Sequence, residues 1–126
     1  MNVLKHFLKH LLVSSSLSML WLLPSASLSA IAEPMRVSWY GPGFDGGQTA
    51  SGEIFDRYDH TAAHPSWPFG TLLQLTHPQT GHRVVVRIND RSGGALDISE
   101  QAARDLGTYS EGIVSVDVEI VQWGYE

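Results

Sequence analysis

The sequence predicts a mainly β domain, a small closed barrel that contains one short helix. Three observations support this prediction. Apolar and polar residues alternate in several short segments, which is the period of a half-buried strand. Glycine and proline cluster between these segments, as turns require. Only one segment combines a helical pattern with residues suited to helix caps.

The N-terminal region is interpreted as a secretory signal peptide over residues 1–32. It has a basic start, an apolar run over residues 11–23 and small residues that end in Ala-Ile-Ala at 30–32. The alternatives are a buried helix or a membrane anchor, but the apolar run is shorter than the roughly 20 residues that span a bilayer. We therefore expect a domain over residues 33–126 that is periplasmic or secreted, with no stable membrane anchor.

The composition excludes several classes of protein. The chain has no cysteine, and so no disulfide framework, thiolate metal site, cysteine nucleophile or lipid-modified cysteine. It carries 8 Lys+Arg against 13 Asp+Glu, a net charge of −5. This balance argues against a nucleic-acid partner, which needs a clustered positive field. A small exported domain without disulfides favours a closed barrel, because closure leaves no unpaired strand edge.

Five strands follow from local patterns. They cover residues 35–40, 61–63, 72–76, 82–89 and 113–121. In the fourth of these, Val84, Val86 and Ile88 share one face, and in the last, four aliphatic residues alternate with polar ones. A glycine-rich loop over residues 41–52 and a Pro-Gln-Thr-Gly turn at 78–81 separate them.

One helix is predicted over residues 97–107. Asp97 or Ser99 can cap its N-terminus, and Glu100 follows Asp97 at a spacing like that of a capping box. Gly107 provides the C-terminal stop.

Four polar residues beside turns are candidates for chemistry. They are Glu53 in TASGE, His64 in TAAHP, Asp90 in NDR and Asp97 in LDIS. Each also has a structural interpretation. Glu53 suits a solvated loop, His64 suits a turn in which it hydrogen-bonds to the backbone, and Asp97 suits a helix cap. Asp90 can pair with Arg91 or cap a turn, so no single residue of the four supports a function.

Together and in order, the segments resemble the rare lipoprotein A family of double-psi β-barrel proteins. The similar segments are SWYG at 38–41, TASGE at 49–53, TAAHP at 61–65, PFGT at 68–71, VVVRINDR at 84–91, LDIS at 96–99 and AARDLG at 102–107. The resemblance extends over residues 36–121 and implies a six-stranded double-psi β-barrel with one short helix.

The resemblance also implies an activity. The family includes periplasmic lytic transglycosylases that cut peptidoglycan glycan strands, and the related expansins act on wall polysaccharide without clear hydrolysis. By this resemblance Glu53, His64 and Asp90 are tied to activity, and Asp97 belongs to the site as in the wall-binding barrels. We expect a monomer that binds glycan strands and needs no cofactor.

The chemistry suits these residue types. Glycosidic cleavage needs a proton on the departing oxygen while an oxocarbenium-like centre develops. In a lytic transglycosylase the sugar's own 6-hydroxyl attacks the anomeric carbon and forms a 1,6-anhydro end, so one carboxyl group acts first as acid and then as base. We predict Asp90 for this role. Asp97 or Glu53 would supply a neighbouring charge or stabilise the cationic sugar, and His64 would orient a carboxylate or bind substrate.

Aromatic residues flank these motifs. Trp39, Tyr40, Phe44 and Trp67 are predicted to stack on sugar rings, and the alternative is that Trp39 and Phe69 help to close the barrel ends. The histidines lack a zinc-binding spacing, so no metal site is predicted. The loop between Asp90 and Asp97 is shorter than in many family members, which favours a non-catalytic expansin-like wall-binding module as the alternative function.

Overall fold

The computed structural model of the chain describes residues 31–125. The predicted signal peptide at residues 1–32 lies outside the described residues except for its last two. The elements are β1 (Glu33–Tyr40), β2 (Thr61–Ala63), β3 (Leu72–Thr76), β4 (Arg83–Asp90), β5 (Leu96–Ser99), α1 (Glu100–Leu106) and β6 (Val114–Gln122). The helix is short, and no helix within residues 31–125 is both long and apolar enough to cross a membrane.

The six strands close into a barrel in the order β1-β5-β2-β4-β3-β6. β1 pairs with β5 and β2 with β4 in parallel, and the other four pairings are antiparallel. Every strand within residues 31–125 therefore has two neighbours, and closure of the barrel leaves none of these six strands at a sheet edge. The prediction of a mainly β, six-stranded barrel with one short helix is confirmed.

The barrel interior is filled by the aliphatic faces that the alternating pattern predicts. On β4, Val86 and Ile88 are fully buried and Val84 is nearly so, while Val85 points outward and is 45% exposed. On β6, Val116 and Val118 are buried in the same cluster. The helix adds Ala102, Ala103 and Leu106 to this cluster and closes one side of the core.

The prediction of a helix beginning at residue 97 is wrong in its first turn. Residues 96–99 form β5, which lies between β1 and β2. Leu96 and Ile98 are buried in the core, so strand pairing and burial outweigh the local helical pattern. Asp97 is not the helix cap. The cap is Ser99, whose hydroxyl accepts a hydrogen bond from the Ala102 amide at 3.3 Å.

The remaining helix signals are partly confirmed. Gly107 ends the helix in the left-handed conformation with φ 85°, and its amide bonds back to the last turn. The capping-box interpretation of Glu100 is wrong, because Glu100 is the first helical residue. Its buried carboxylate instead pairs with Arg104, one turn later, at 3.5 Å. The other strands begin or end within two residues of their predicted limits.

Strand register brings two acidic residues to the same face of the barrel wall. Ala63, the last residue of β2, is paired with Asp90 on β4 and with Asp97 on β5. Paired residues on adjacent strands direct their side chains to the same side of a sheet. A register shift between Ala62 and Ala63 marks this end of β2. The pairing of β2 with β4 and with β5 therefore places both carboxylates on one surface.

Candidate active site

Asp90 is held by main-chain donors at the end of β4. Its Oδ1 accepts hydrogen bonds from the amide N–H groups of Ala50 at 2.9 Å and Arg91 at 2.8 Å. Its Oδ2 lies 3.5 Å from the hydroxyl of Tyr40, which is the donor of this long contact. Oδ1 is thus occupied by the main chain, and Oδ2 is the oxygen left available to a ligand.

Asp97 is held by a neighbouring strand rather than by the helix. Ser38 on β1 is paired in register with Asp97, and its hydroxyl donates a short hydrogen bond to Asp97 Oδ1. The carboxylate is partly exposed. One oxygen of each predicted acid, Asp90 and Asp97, is therefore fixed by a donor.

Both acids line one small cavity, which we call the acid cleft. Its volume is about 170 Å³, and its lining residues are Tyr40, Phe44, Ala63, Asp90, Arg91 and Asp97. A neighbouring cavity of about 260 Å³ shares Tyr40, Phe44 and Asp90 with it. Asp90 therefore lies where two adjoining openings meet, with aromatic side chains beside it.

Tyr40 is fixed as a neutral hydrogen-bond donor. Its pKa is raised well above the usual range of tyrosine, chiefly by burial and then by the charge of Asp90, the hydrogen bond to Asp90 and the charge of Asp97. Its ring stacks on Phe55 at 4.8 Å and meets Phe44 edge-on at 5.7 Å. The hydroxyl therefore remains protonated and is held in place beside Asp90.

His64 follows β2 and is fixed through one ring nitrogen. Its Nδ1 accepts hydrogen bonds from the amides of Ser66 at 3.1 Å and Trp67 at 3.0 Å. Its ring stacks on that of Trp67 at 3.9 Å and 6°. The pKa of His64 is lowered, first by burial and then by the charge of Arg91. The neutral tautomer that fits these contacts carries its proton on Nε2, which is a donor.

The main chain links His64 to the acid cleft, although His64 itself lines a different cavity. The His64 amide donates to the Asp90 carbonyl at 3.1 Å. This cavity has a volume of about 460 Å³, and its lining also includes Ser38 and Leu96. Ser38 is also the hydrogen-bond partner of Asp97. The Ser38–Asp97 pair therefore lies between the opening beside His64 and the acid cleft.

Glu53 is engaged away from the acid cleft. Its two carboxylate oxygens accept hydrogen bonds from the guanidinium of Arg87 at 2.5 and 2.9 Å. This contact lowers the pKa of Glu53 more than any other cause. Glu53 lines neither of the two cavities that contain Asp90. The loop over residues 49–53 instead reaches Asp90 through the Ala50 amide.

The four predicted aromatic residues fall into three settings. Tyr40 and Phe44 line the acid cleft, and Phe44 is 62% exposed. Trp67 stacks on His64. Trp39 packs against the core, stacks on Tyr109 at 4.6 Å and donates from Nε1 to the Tyr109 carbonyl at 3.0 Å. The contacts of Trp39 fit the alternative role of closing the barrel rather than sugar stacking.

The order and spacing of these segments match a known family model. The model is described as lytic transglycolase and matches residues 33–118, more than half of the chain. The chain belongs to this family. The matched range contains Glu53, His64, Asp90 and Asp97, and it ends before the last residues of β6.

Curated relatives of the family match the same region. A Synechocystis protein named "probable endolytic peptidoglycan transglycosylase RlpA" is 49% identical over 89 residues, which cover 68% of this chain and 28% of the relative. A Helicobacter pylori protein named "endolytic peptidoglycan transglycosylase RlpA" is 38% identical over 91 residues, 69% of this chain and 29% of the relative. The chain thus spans less than a third of the length of these two relatives.

Solved structures support the fold. The expansin of Clavibacter michiganensis aligns with a TM-score of 0.60 and 25% identity, over 76% of this chain and 53% of the expansin chain. Cerato-platanin 3 from M. perniciosa aligns with a TM-score of 0.57 and 16% identity, over 71% of this chain and 95% of that chain. The expectation of a double-psi β-barrel related to the rare lipoprotein A family and to expansins is confirmed.

Sequence reasoning missed three residues that hold the predicted acids or line the acid cleft. Ala50 supplies an amide to Asp90, and Ser38 supplies a hydroxyl to Asp97. Arg91 lines the acid cleft and donates from Nη1 to the carbonyl of Trp67 at 2.8 Å and that of His64 at 3.3 Å. All three residues lie inside segments that carry the family resemblance, but their contacts depend on how the strands and loops are brought together.

Two of the histidines remote from the acid cleft have carboxylate partners. His60 pairs with Asp105 at 2.6 Å, and the buried His77 pairs with Glu111 at 3.2 Å. Among residues 31–125, His, Asp and Glu side chains form no group of three or more that could hold a metal ion.

Proposed function

We propose that the protein is a peptidoglycan lytic transglycosylase that cleaves glycan strands and leaves 1,6-anhydromuramic ends. Membership of the lytic transglycolase family and the names of the curated relatives support this proposal. The observation that carries it is the acid cleft, which Asp90 and Asp97 both line from the two strands that flank β2. Two carboxyl groups beside one linkage suit glycosidic chemistry.

Asp90 acts first as the acid and then as the base. Oδ1 is held by the amides of Ala50 and Arg91, so the proton is delivered from Oδ2 to the glycosidic oxygen. The bond from the anomeric carbon to that oxygen breaks, and the leaving sugar departs as an alcohol. The 6-hydroxyl of the muramic residue then attacks the anomeric carbon and returns its proton to Oδ2. No water is consumed, and Asp90 is regenerated.

Asp97 stabilises the positive charge that develops on the sugar. The Ser38 hydroxyl holds one of its oxygens, so the carboxylate has a fixed direction when the charge appears. We assign His64 to substrate binding, because the hydrogen bonds of its ring are to the amides of Ser66 and Trp67 and not to a carboxylate. Its Nε2–H is the donor for a sugar oxygen.

The proposed setting is the periplasm or the exterior of the cell. The basic, apolar and small-residue parts of residues 1–32 support export. β1 begins at Glu33, so cleavage after Ala32 would leave the first strand intact. The bound partner would be the glycan strand itself, held by a monomer without a cofactor.

The alternative is a wall-binding module without cleavage. The observation that favours it is the engagement of Glu53 by Arg87, which leaves this predicted catalytic carboxylate outside the acid cleft. An expansin is also among the solved structures with this fold.

Mass spectrometry of digested peptidoglycan separates the two functions. The purified protein is incubated with sacculi, with and without stem peptides, and the released fragments are examined for 1,6-anhydromuramic ends. A transglycosylase produces such ends, and the Asp90→Asn variant does not. Binding to sacculi without these ends selects the wall-binding module. Undiminished release by Asp90→Asn removes Asp90 from the role of acid and base.

A further inference from the structure

The segment that follows β6 is anchored closely to another part of the barrel. The Gly124 amide donates to the Thr71 hydroxyl at 3.0 Å. A Cβ atom at position 124 would lie 2.1 Å from the Phe69 carbonyl oxygen and 2.4 Å from the Thr71 nitrogen. Only glycine fits this close approach. The segment also lies beyond residues 33–118, which the family model matches, and the proposed chemistry does not use it.

This anchor fixes the position of Trp123. Its ring meets that of Trp67 edge-on, at 6.4 Å between centroids and 88° between planes. Trp67 in turn stacks face-to-face on His64 at 3.9 Å. We call His64, Trp67 and Trp123 the aromatic line. Trp123 forms its outer end and is 55% exposed.

Arg91 connects the aromatic line to the acid cleft. It lines the acid cleft beside Asp90, and its Nη1 donates to the carbonyls of both His64 and Trp67. Its guanidinium also lies 4.0 Å from the ring centroid of Phe69, whose carbonyl is packed against Gly124. The outer end of the aromatic line is therefore held at a defined position relative to the predicted acid.

We propose that Trp123 is a sugar-binding subsite for a pyranose ring of the glycan strand, one that extends the site past His64. This proposal rests on the proposed function, because the strand that enters the acid cleft is the occupant of the subsite. The edge-on contact with Trp67 covers only part of the Trp123 indole, which agrees with the 55% exposure of Trp123. The face of an indole suits the apolar face of a pyranose, and its N–H can serve a hydroxyl.

Continuity favours a sugar of the same strand over a separate protein partner. The aromatic line begins at His64, whose free Nε2 donor is assigned to a sugar oxygen, and it contains only rings along its length. Along this line Trp67 lies between His64 and Trp123, so a strand that contacts His64 would reach Trp123 by way of Trp67. Binding at Trp123 would therefore make affinity depend on the length of the glycan.

The test measures binding of chitohexaose and chitobiose in an Asp90→Asn background, in which turnover is blocked. We expect chitohexaose to shift the indole N–H resonance of Trp123, which the Trp123→Phe variant identifies by its disappearance. Trp123→Ala should weaken chitohexaose binding about tenfold, the scale of one lost aromatic contact with its buried area. Chitobiose binding should change less, and Trp123→Phe should recover most of the affinity.

Tyr58→Ala is the matched control, because Tyr58 is a similarly exposed aromatic residue, at 58%, that contacts Arg57 and lies outside the aromatic line. It should bind chitohexaose as the background does. Equal affinities in Trp123→Ala and the background overturn the subsite, provided that circular dichroism shows both folded. The subsite is also overturned if Trp123→Ala changes the molecular mass of the protein in solution while sugar affinity stays the same. That result would assign Trp123 to self-association.

The two proposals fail separately. If the wild-type protein yields no anhydro ends but Trp123→Ala still weakens chitohexaose binding, catalysis is refuted and the subsite stands. If the wild-type protein yields anhydro ends and Trp123→Ala binds and cleaves long strands normally, the subsite is refuted and catalysis stands.

Discussion

The amide of Ala50 donates a 2.9 Å hydrogen bond to Oδ1 of Asp90, and this bond joins a glycine-rich loop to the end of β4. The loop thereby orients the predicted acid with a main-chain group. A side chain from the same loop, that of Glu53, lies with Arg87 instead. Any residue at position 50 that has a main-chain N–H group could therefore donate this hydrogen bond to Asp90.

Ala50→Pro tests this bond, because proline lacks the donor. We expect release of anhydro ends to fall about tenfold or more, the range for losing a hydrogen bond to a charged group. Ala50→Ser retains the N–H and should keep most of the activity. The measurement is the initial rate of release, with thermal unfolding as the check on folding. Full activity in Ala50→Pro would contradict the role of this amide.

Ser38→Ala tests the support of Asp97. Removing the hydroxyl frees one carboxylate oxygen, so the charge that faces the developing cation loses its fixed direction. We expect a fall of about tenfold in the turnover rate with little change in glycan affinity. Ser38→Thr restores a hydroxyl on a residue that suits a strand, and it should recover activity. A loss of affinity with unchanged turnover would assign Ser38 to binding.

His64 should titrate below the usual range of histidine when it is followed by NMR. Burial is the larger cause of the lowered pKa, and the charge of Arg91 is the second. Arg91→Gln should therefore raise the midpoint only partly. Since the folded-state pKa lies below the unfolded one, the unfolded chain binds the proton more readily. The contribution of neutral His64 to the free energy of unfolding should be complete above the pKa that His64 has in the unfolded chain. It should decrease as the pH falls below that pKa.

His64→Gln provides the control for that dependence, because it removes the titrating group. The difference in free energy of unfolding between wild type and His64→Gln should change between pH 7 and pH 5. A constant difference across this range would show that the environment of His64 does not disfavour its charged form.

The Glu53–Arg87 pair should stabilise the fold above the acid range. Arg87 lowers the pKa of Glu53, so the stabilisation is present above the unfolded pKa and lost as pH falls through the folded one. Both side chains are more than a third exposed, so the expected loss in Glu53→Gln is at most about 1 kcal/mol at pH 7. Denaturant titration at pH 7 and pH 3 measures this loss, which should be smaller at the lower pH.

A double-mutant cycle completes this experiment. Glu53→Gln and Arg87→Gln should each remove the same stabilisation, and the double variant should lose no more than either. Additive losses would show that the two side chains act independently.

Periodicity predicted most of the barrel because most strands have one buried face. The alternation over residues 113–121 is such a case, and β6 follows it within one residue. β5 was missed because it has only four residues and precedes the helix directly. Leu96 and Ile98 are buried by pairing with strands far away in sequence, and no local pattern reports that pairing.

The candidate site was predictable in its residue types but not in its arrangement. Motif order brought Asp90 and Asp97 into consideration, and strand register places them on one surface. The turn interpretation of His64 also describes a real contact, since its Nδ1 accepts two backbone hydrogen bonds. The position of Glu53 is set by its contact with Arg87 on β4, and no sequence pattern predicts that contact.

The pairing of Ala63 with both acids has a consequence for engineering. Main-chain hydrogen bonds across three adjacent strands set the separation of Asp90 and Asp97, at about 10 Å between their α-carbons for two strand spacings. Redesign of nearby side chains cannot change the distance between the α-carbons of the two acids. Inserting a residue in β2 would instead shift the strand register by one whole residue. In such a scaffold, substrate preference is therefore more readily altered through the other side chains around the acid cleft than through the spacing of its two acids.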